Sequence, residues 1–521
     1  MKKATWFKKL MALALCLVMV LSMAACAQEA APATDNSGDT SSETETDATT
    51  TPEGENTSST ENEETVHLKW YVAGNGPQAD TPAVLEEVNK YLLEKLNCTL
   101  EIVETDFGNY DQKMQMVISS QEEFDLCYTA NWSNNFYSNV SRNAFLELDE
   151  LVDTYAPELK ADMPPAGWDA GRVNGKLYGI PNQQIWAMTN VIQLNKDVVE
   201  EYGFDTSTVK TLADLDPLFE QYKADHPETY PLALDSQGAL AFSTFSMGYD
   251  ELAGRHIPGA IMLEDGDLKV INQFELPQVK EFYELLYDWS QKGYIRPDAS
   301  TVMDAKPDMK NGMHIAIFGG TYKPSSQEMN KMTYGCELVD VLLSDSWLPT
   351  SGITATMTAI SRTSKHPEKA MEFINLLNTD KYLYNLITQG IEGKHYEKLD
   401  GDFIRPIEGS GYMPNADWMY GNQFLAYLKE GQGADDWDIT KELNASAKPS
   451  PALGFVFDPV PVQNEIASVS AVVSEYESGL STGVLNPDEA LPEFLEKLDQ
   501  AGADTIIAEV QSQLDAWAAT K

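Results

Sequence analysis

Apolar and polar positions follow two distinct periods through the first part of the folded body. The run His67-Leu68-Lys69-Trp70-Tyr71-Val72 reads as a strand. After Asp80-Thr81-Pro82, a helix start with a capping side chain and a proline in the first turn, Val84, Val88, Tyr91 and Leu92 recur every three to four residues. A second strand is predicted over Cys98–Val103, a helix from Tyr110 to about Ser119, and a third strand over Phe124–Thr129. This β-α-β-α-β order predicts a parallel, doubly wound sheet with helices on both faces. Ligands of such sheets bind beyond the carboxyl ends of the strands. Here those ends are Ala73–Gly76, Asp106–Asn109 and Ala130–Trp132.

The middle of the chain, roughly Val191 to Leu343, mixes both periods. Helices are predicted over Leu212–Ala224 and Leu276–Lys292, and a strand over His314–Gly320. A helix opened by Pro367-Glu368 carries Ala370, Phe373, Ile374, Leu377 and Leu383 on its apolar side. Ile466, Val469, Val473 and Tyr476, then Ile506, Val510, Leu514 and Trp517, form helical stripes that read as core faces.

The first 65 residues have a different composition. Lys2, Lys3, Lys8 and Lys9 precede an apolar run, Leu10–Val20, that is too short for a permanent membrane span and reads as a signal peptide. The segment ends Leu21-Ser22-Met23-Ala24-Ala25-Cys26, which resembles the bacterial lipobox. That resemblance makes Cys26 a lipidated residue and residues 1–26 a lipoprotein leader. Ala27–Thr65 holds eleven acidic residues, no Lys or Arg and no aromatic. It is expected to be a disordered acidic linker that holds the body away from the membrane surface.

The chain carries 81 acidic and 36 basic residues, for a formal net charge of −45. Setting aside the leader lysines and the linker acids leaves about −38 on the body. Such a surface repels nucleic acid, and no Lys/Arg cluster or nucleic-acid module is present. Cys98, Cys127 and Cys336 are too widely spaced for a zinc frame or disulfide scaffold and read as small buried hydrophobes.

Three local motifs invite a catalytic or metal-binding interpretation. Gly74-Asn75-Gly76-Pro77-Gln78-Ala79 fits a dinucleotide fingerprint in form, yet Ala79 falls before the helix and Pro77 lacks an N–H for phosphate. Gly479-Leu480-Ser481-Thr482-Gly483 fits a nucleophile elbow in form, yet it follows an amphipathic helix, where glycine serves as a helix exit. Gly390-Ile391-Glu392-Gly393-Lys394-His395-Tyr396 sets an acid three residues before one of only six histidines. Its two glycines argue against helical pairing, there is no second Glu-x-x-His, and the pair reads as a hydrogen-bonded loop after a helix. No metal, cofactor or catalytic residue is expected.

Several stretches in order resemble the extracellular solute-binding lipoproteins of ABC importers, the group that includes maltodextrin-binding protein. They are Asn174–Asp205, with Gly-Lys-Leu-Tyr-Gly-Ile-Pro and later Asn-Lys-Asp; His314–Tyr322; and Ile360–Leu377. Leu194 stands where an aromatic is usual. Gly390–Tyr396, Trp418–Phe424 and two C-terminal stretches are similar to a Gram-positive subgroup whose C-terminal region is a domain of unknown function. The resemblance spans residues 66–521. It implies an α/β, two-lobed periplasmic-binding-protein-like fold, each lobe a mostly parallel sheet flanked by helices, with the ligand cleft between them. Lobe 1 is expected from residues 66–185 and 345–400, and lobe 2 from 186–344 and 401–521. Crossings are expected near Pro181–Trp186 and Asp340–Ser346. The implied mechanism is hinge closure around a solute and delivery to a permease, with no chemistry.

A neutral saccharide needs flat apolar faces for its C–H surfaces and amides or carboxylates for its hydroxyls. The expected cleft supplies Asn75, Gln78, Asn131, Trp132, Gln183, Gln184, Trp186, Tyr322 and Trp347. An oligosaccharide is therefore the expected solute, bound by a monomer anchored on the extracytoplasmic face of the cell membrane. A peptide binder would need fixed charges, for which Arg142, Arg172 and Arg362 are available. Two further readings stay open on the sequence: a secreted glycoside hydrolase or esterase, and a surface sensor without a permease.

Overall fold

The computed structural model of the chain describes residues 64–264 and 266–521. The expected leader, Cys26 and the linker up to residue 63 lie outside the described residues. The elements used below run in the order β1 (Val66–Gly74), α1 (Thr81–Leu96), β2 (Cys98–Asp106), α2 (Phe107–Ser119), β3 (Leu126–Thr129), β4 (Ile180–Pro181), β5 (Asn190–Asn195), β6 (Leu232–Ala233), β7 (Ala316–Thr321), β8 (Leu338–Leu342), β9 (Trp347–Leu348), β10 (Met357–Ile360), α3 (Pro367–Thr379), α4 (Lys381–Gln389), α5 (Asp436–Ser446), β11 (Lys448–Pro449), α6 (Gln463–Ser481), α7 (Pro487–Ala501) and α8 (Ala503–Ala518).

The first sheet has the order β2-β1-β3-β10-β4. Its β1, β2 and β3 are parallel, as the alternating pattern predicts, while β10 returns antiparallel between β3 and β4. Trp70 to Gly74 form an unbroken buried run because helices cover both faces. Val84, Val88 and Leu92, one turn apart on α1, bury the stripe that the sequence predicts. Asp80 sits at the N-terminal boundary of α1 but makes no side-chain cap there. Its carboxylate instead meets Lys394 at 2.8 Å and His395 at 3.1 Å.

The second sheet has the order β8-β5-β7-β6. Here β5 runs antiparallel to both neighbours and only β7 and β6 pair in parallel, so this lobe is mixed rather than mostly parallel. The C-terminal helices complete its core. Val469, Val473, Phe494, Leu498, Ile506, Val510 and Leu514 are buried against Ile192, Leu194, Phe274 and Trp289.

The two cores show how the chain divides. Ala416, Met419, Tyr420, Ala426 and Ala447 are buried in the first core, with Trp418, Trp437 and Leu443 packed on it. Segment 401–447 therefore belongs with lobe 1, not with lobe 2 as expected. The second core takes up the chain again at Ala452. The reason is Tyr420, whose ring stands edge-on to Trp70 of β1 at 5.4 Å and buries the segment against the first sheet.

Among the described residues the chain passes between the cores three times, and the passages hydrogen-bond to one another. Met188 and Trp347 exchange backbone hydrogen bonds of 2.7 and 2.9 Å. β9 then pairs in parallel with β11. The Thr189 and Ser346 hydroxyls meet at 2.7 Å. The first passage comes just after the expected Pro181–Trp186, since Ile185, Trp186 and Ala187 are still buried in the first core.

The second lobe encloses a group of buried acids. Glu251 accepts from the His256 backbone N–H, Glu477 lies 3.9 Å from the His256 ring and Asp250 accepts from the Ser450 hydroxyl, and burial pushes the Asp250, Glu251 and Glu477 carboxyls up to about 6, 8 and 7 respectively. The same desolvation pushes His256 down to about 4. The Tyr249 and Tyr283 hydroxyls and His256 Nε2 are buried without hydrogen-bond partners among the described residues. Raised carboxyls stabilise the fold fully below their unfolded values and lose that contribution as pH rises through 6 to 8. Depressed His256 stabilises it above its unfolded value and loses this as pH falls toward 4. Three carboxyls outweigh one imidazole, so these groups together make stability fall as pH rises through 6 to 8. Calorimetry should give a melting temperature a few degrees lower at pH 8.5 than at pH 5.5. Glu477→Gln should flatten that slope, and an unchanged slope in the variant would exclude Glu477 as a source.

Candidate functional site

The carboxyl ends of β1, β2 and β3 meet at one edge of the first sheet, where the sequence places Asn75, Gln78, Asn131 and Trp132. A strap of residues 411–423 crosses this edge. At one end Asp80 N–H donates to Gly411 O at 3.0 Å, Asn75 Nδ2 to Pro414 O at 3.2 Å, and Met413 N–H to Gln78 Oε1 at 2.5 Å. At the other end Asn182 Nδ2 donates to Met419 O at 2.5 Å, and Gln183 and Gly421 join through a 2.8 Å backbone bond. Gly421 has a positive φ, and a Cβ there would lie about 3.1 Å from Leu377 near the end of α3, so a side chain would crowd the helix. Asn75 and Gln78 thus use their amides to hold the strap.

The strap delivers Trp418 to the strand ends. Its ring lies nearly parallel to Phe107, the first residue of α2, with centroids 6.2 Å apart and planes at 11°. Phe107 stacks in turn on Trp132 at 6.2 Å and 27°. Trp132 is 52% exposed and Phe107 37%. The Trp132 indole N–H donates to Ala355 O at 2.8 Å, which fixes the ring while leaving it open to solvent. Asn131, half-buried beside it, donates through Nδ2 to Ser351 O at 2.8 Å. Three aromatic rings at a strand-end edge form a platform suited to the C–H face of a sugar.

The second lobe brings Tyr322 and Lys323 toward this edge. Burial raises the Tyr322 phenol, helped by the charges of Asp340 of its own lobe and Asp436 of α5. Lys323 is exposed, and the Asp417 carboxylate of the strap acts on its ammonium to favour the charged form. These two residues therefore sense acids carried by the first lobe.

The remaining expected residues are placed differently. Gln183, Gln184, Trp186 and Trp347 are all buried. Gln183 Nε2 donates to Asp162 at 2.8 Å, Gln184 Nε2 to Thr356 Oγ1 at 3.2 Å, and the Trp186 indole to Asn182 O at 2.9 Å. Trp347 packs with Met188, Phe245 and Leu263 at the crossing, under the Lys448 ammonium. Trp347 and Gln184 are structural here. Phe107 and Trp418 complete the platform but were not among the expected residues. Phe107 stood in a strand end already marked, and Trp418 in a motif used only as a sign of lineage.

The local motifs resolve as well. The backbone N–H groups of Asn75 and Gly76 are taken by the Glu104 carboxylate, so an anion already fills the place of a dinucleotide phosphate. Ser481 is fully buried at the end of α6. His395 is buried, accepts from Ile391 N–H through Nδ1 at 2.8 Å, and turns Nε2 to Asp80 rather than Glu392. Among the described residues no group of three or more His, Cys, Asp and Glu side chains is placed to hold a metal ion.

The chain matches the family model for bacterial extracellular solute-binding proteins over residues 75–383 and a domain of unknown function over residues 451–519. A carbohydrate ABC transporter substrate-binding protein of Streptococcus pneumoniae serotype 4 is 30% identical over 467 residues, 87% of this chain and 91% of the relative. The crystal structure of the N-glycan transport solute binding protein NgtS of Streptococcus pneumoniae is 28% identical, covers 87% of this chain and 98% of that one, and has a TM-score of 0.78. The same protein with Man5GlcNAc gives a TM-score of 0.70 over 88% and 99% of the two chains, at 28% identity. A solute-binding protein of Bifidobacterium longum subsp. infantis shares the fold at 15% identity and a TM-score of 0.63, over 87% and 98% of the two chains.

If the amides brace the strap, Gln78→Ala should speed hydrogen exchange across Met413–Asp417 by up to about ten-fold, the worth of one hydrogen bond of about 0.5–1.5 kcal/mol. Exchange in β5 and β7 of the other lobe should not change. Unaltered exchange in the strap would show that Gln78 does not hold it.

Proposed function

This chain belongs to the bacterial extracellular solute-binding protein family, and on that premise we propose that it captures an oligosaccharide between its lobes and passes it to an ABC permease. The observation that carries this is the Phe107–Trp132–Trp418 platform at the carboxyl edge of the first sheet, with Phe107 and Trp132 exposed and Trp418 half-buried beneath them. Stacked rings with solvent-facing surfaces match the apolar faces of pyranose units, and Asn131 and Asp417 of the strap offer partners for hydroxyls. The Streptococcus pneumoniae relatives support it, since they are named for carbohydrate and N-glycan transport and one is crystallised with Man1GlcNAc and Man5GlcNAc.

The mechanism follows from the crossing. Saccharide settles on the platform of the first lobe, and bending of the three paired strands brings Tyr322 and Lys323 onto it. Water leaves the aromatic faces, and polar contacts strengthen as the cleft closes. No covalent step occurs, so the solute leaves as it came. In this proposal Cys26 carries the lipid and the acidic linker spaces the body from the cell membrane, where the closed monomer meets its permease.

A peptide ligand fits less well, because the candidate arginines are engaged or remote. Arg172 pairs with Asp149 at 2.7 Å, Arg362 bonds Asn143, and Arg142 is exposed at the end of the helix Phe136–Ser141.

Isothermal titration with Man5GlcNAc should give saturable binding, and Trp132→Ala should weaken it at least ten-fold, about 1.4 kcal/mol. Unchanged affinity would remove the platform from the site, and release of new reducing ends during incubation would establish a hydrolase instead. Separately, Cys26→Ala in living cells should move the protein from the membrane fraction to the medium. Retention at the membrane would overturn the lipid anchor.

A further inference from the structure

A second opening lies on the first lobe, beside the crossing strands. It is a groove of about 740 Å³, within the range of small-molecule sites. Neither Phe107, Trp132 nor Trp418 lines it, and every lining residue belongs to the first lobe, the crossing or α5. We infer that this groove is a second saccharide-binding site, separate from the aromatic platform and independent of lobe closure. The inference rests on the carbohydrate reading above for the class of its occupant.

Its walls are chemically uneven in a way that suits a sugar unit. One side presents apolar surface: Phe424, Trp186 and Leu348. Phe424 is held edge-on to Trp437 at 6.1 Å, with the Lys441 ammonium 5.2 Å from its ring centroid. The opposite side presents acceptors. Asn378 is 3% exposed and lines the groove, and its Nδ2 is committed to Ile374 O at 2.8 Å. Its Oδ1 has no hydrogen-bond partner among the described residues. A buried amide oxygen left in this state is destabilising, and a hydroxyl donor entering the groove would satisfy it.

The carboxylates of the groove are already compensated. Asp162 Oδ2 accepts from Gln183 Nε2 at 2.8 Å and from Asn422 Nδ2 at 3.2 Å, and Glu158 Oε2 accepts from Asn375 Nδ2 at 2.7 Å. Lys441 stands at the same mouth. A neutral ligand with many hydroxyls and one apolar face answers this set better than a cation, which would meet Lys441, or an anion, which would meet Glu158 and Asp162. The groove is also rigidly backed. Asn444 of α5 accepts through Oδ1 from the N–H groups of Trp186 and Ala187 at 2.8 and 3.0 Å, and donates to Gln184 O at 2.7 Å. A site built on such braced elements is formed before any ligand arrives.

Ala445, exposed on α5 at the groove mouth, gives a variant that fills the space without touching either core. Titration calorimetry of the purified protein with Man1GlcNAc should show two molecules bound per chain. Ala445→Trp should leave one, with an unchanged melting temperature of the free protein, and Trp132→Ala should weaken the other at least ten-fold. A single event that Trp132→Ala weakens and Ala445→Trp leaves intact overturns the groove while the carbohydrate reading stands. A single event abolished by Ala445→Trp alone upholds the groove and removes the platform. No binding in any form of the protein overturns both.

Discussion

The structure turns on the three backbone passages that pair Met188 with Trp347 and Trp347 with Lys448. Two cores of this size can each fold around their own sheet, and what makes them one device is a junction that is tied along one direction and free in another. Backbone hydrogen bonds tie the three strands side by side, while Trp347, Met188, Phe245 and Leu263 fill the space beneath them. A short ribbon of this kind bends more readily than it shears. The lobes are thereby given one easy motion, and it opens or shuts the edge at which β1, β2 and β3 end.

What that edge presents depends on the strap. Loops after parallel strands are short of backbone partners, and here the strand-end amides supply them. Asn75, Gln78 and Asn182 commit their side chains to the carbonyls and N–H groups of residues 413–419. The result is a fixed place for Trp418, which a free loop would not give. Residues that chemistry marks as natural ligand contacts are thus one step removed. They position the Trp418 ring at the strand ends.

The alternation of strand and helix in the first hundred residues of the body was legible because each element is covered on both faces or striped on one. Lobe membership of 401–447 was not legible. Its elements are short, and its ties to the first core, such as Tyr420 against Trp70, cross some 350 residues of chain that no local pattern announces. Trp132 could be placed from sequence because it follows a strand directly. Phe107 and Trp418 could not be joined to it, since their stacking exists only once the strap is laid down. The pair Glu392 and His395 shows the same limit. The histidine does find an acid, but it is Asp80, more than three hundred residues away at the start of α1.

The lobes divide the work of binding between them. A ligand shifts the balance of open and closed forms only by the difference in its affinity for them. The aromatic platform lies wholly on the first lobe and is available in both forms, so its stacking energy raises affinity without favouring closure. Closure must draw on groups that arrive with the second lobe, Tyr322 and Lys323, and on the first-lobe acids Asp417 and Asp436 that they approach. A solute that stacks well but leaves Lys323 unpaired would bind and fail to shut the cleft. In the proposed mechanism, recognition by the platform and commitment by the second lobe are therefore separable.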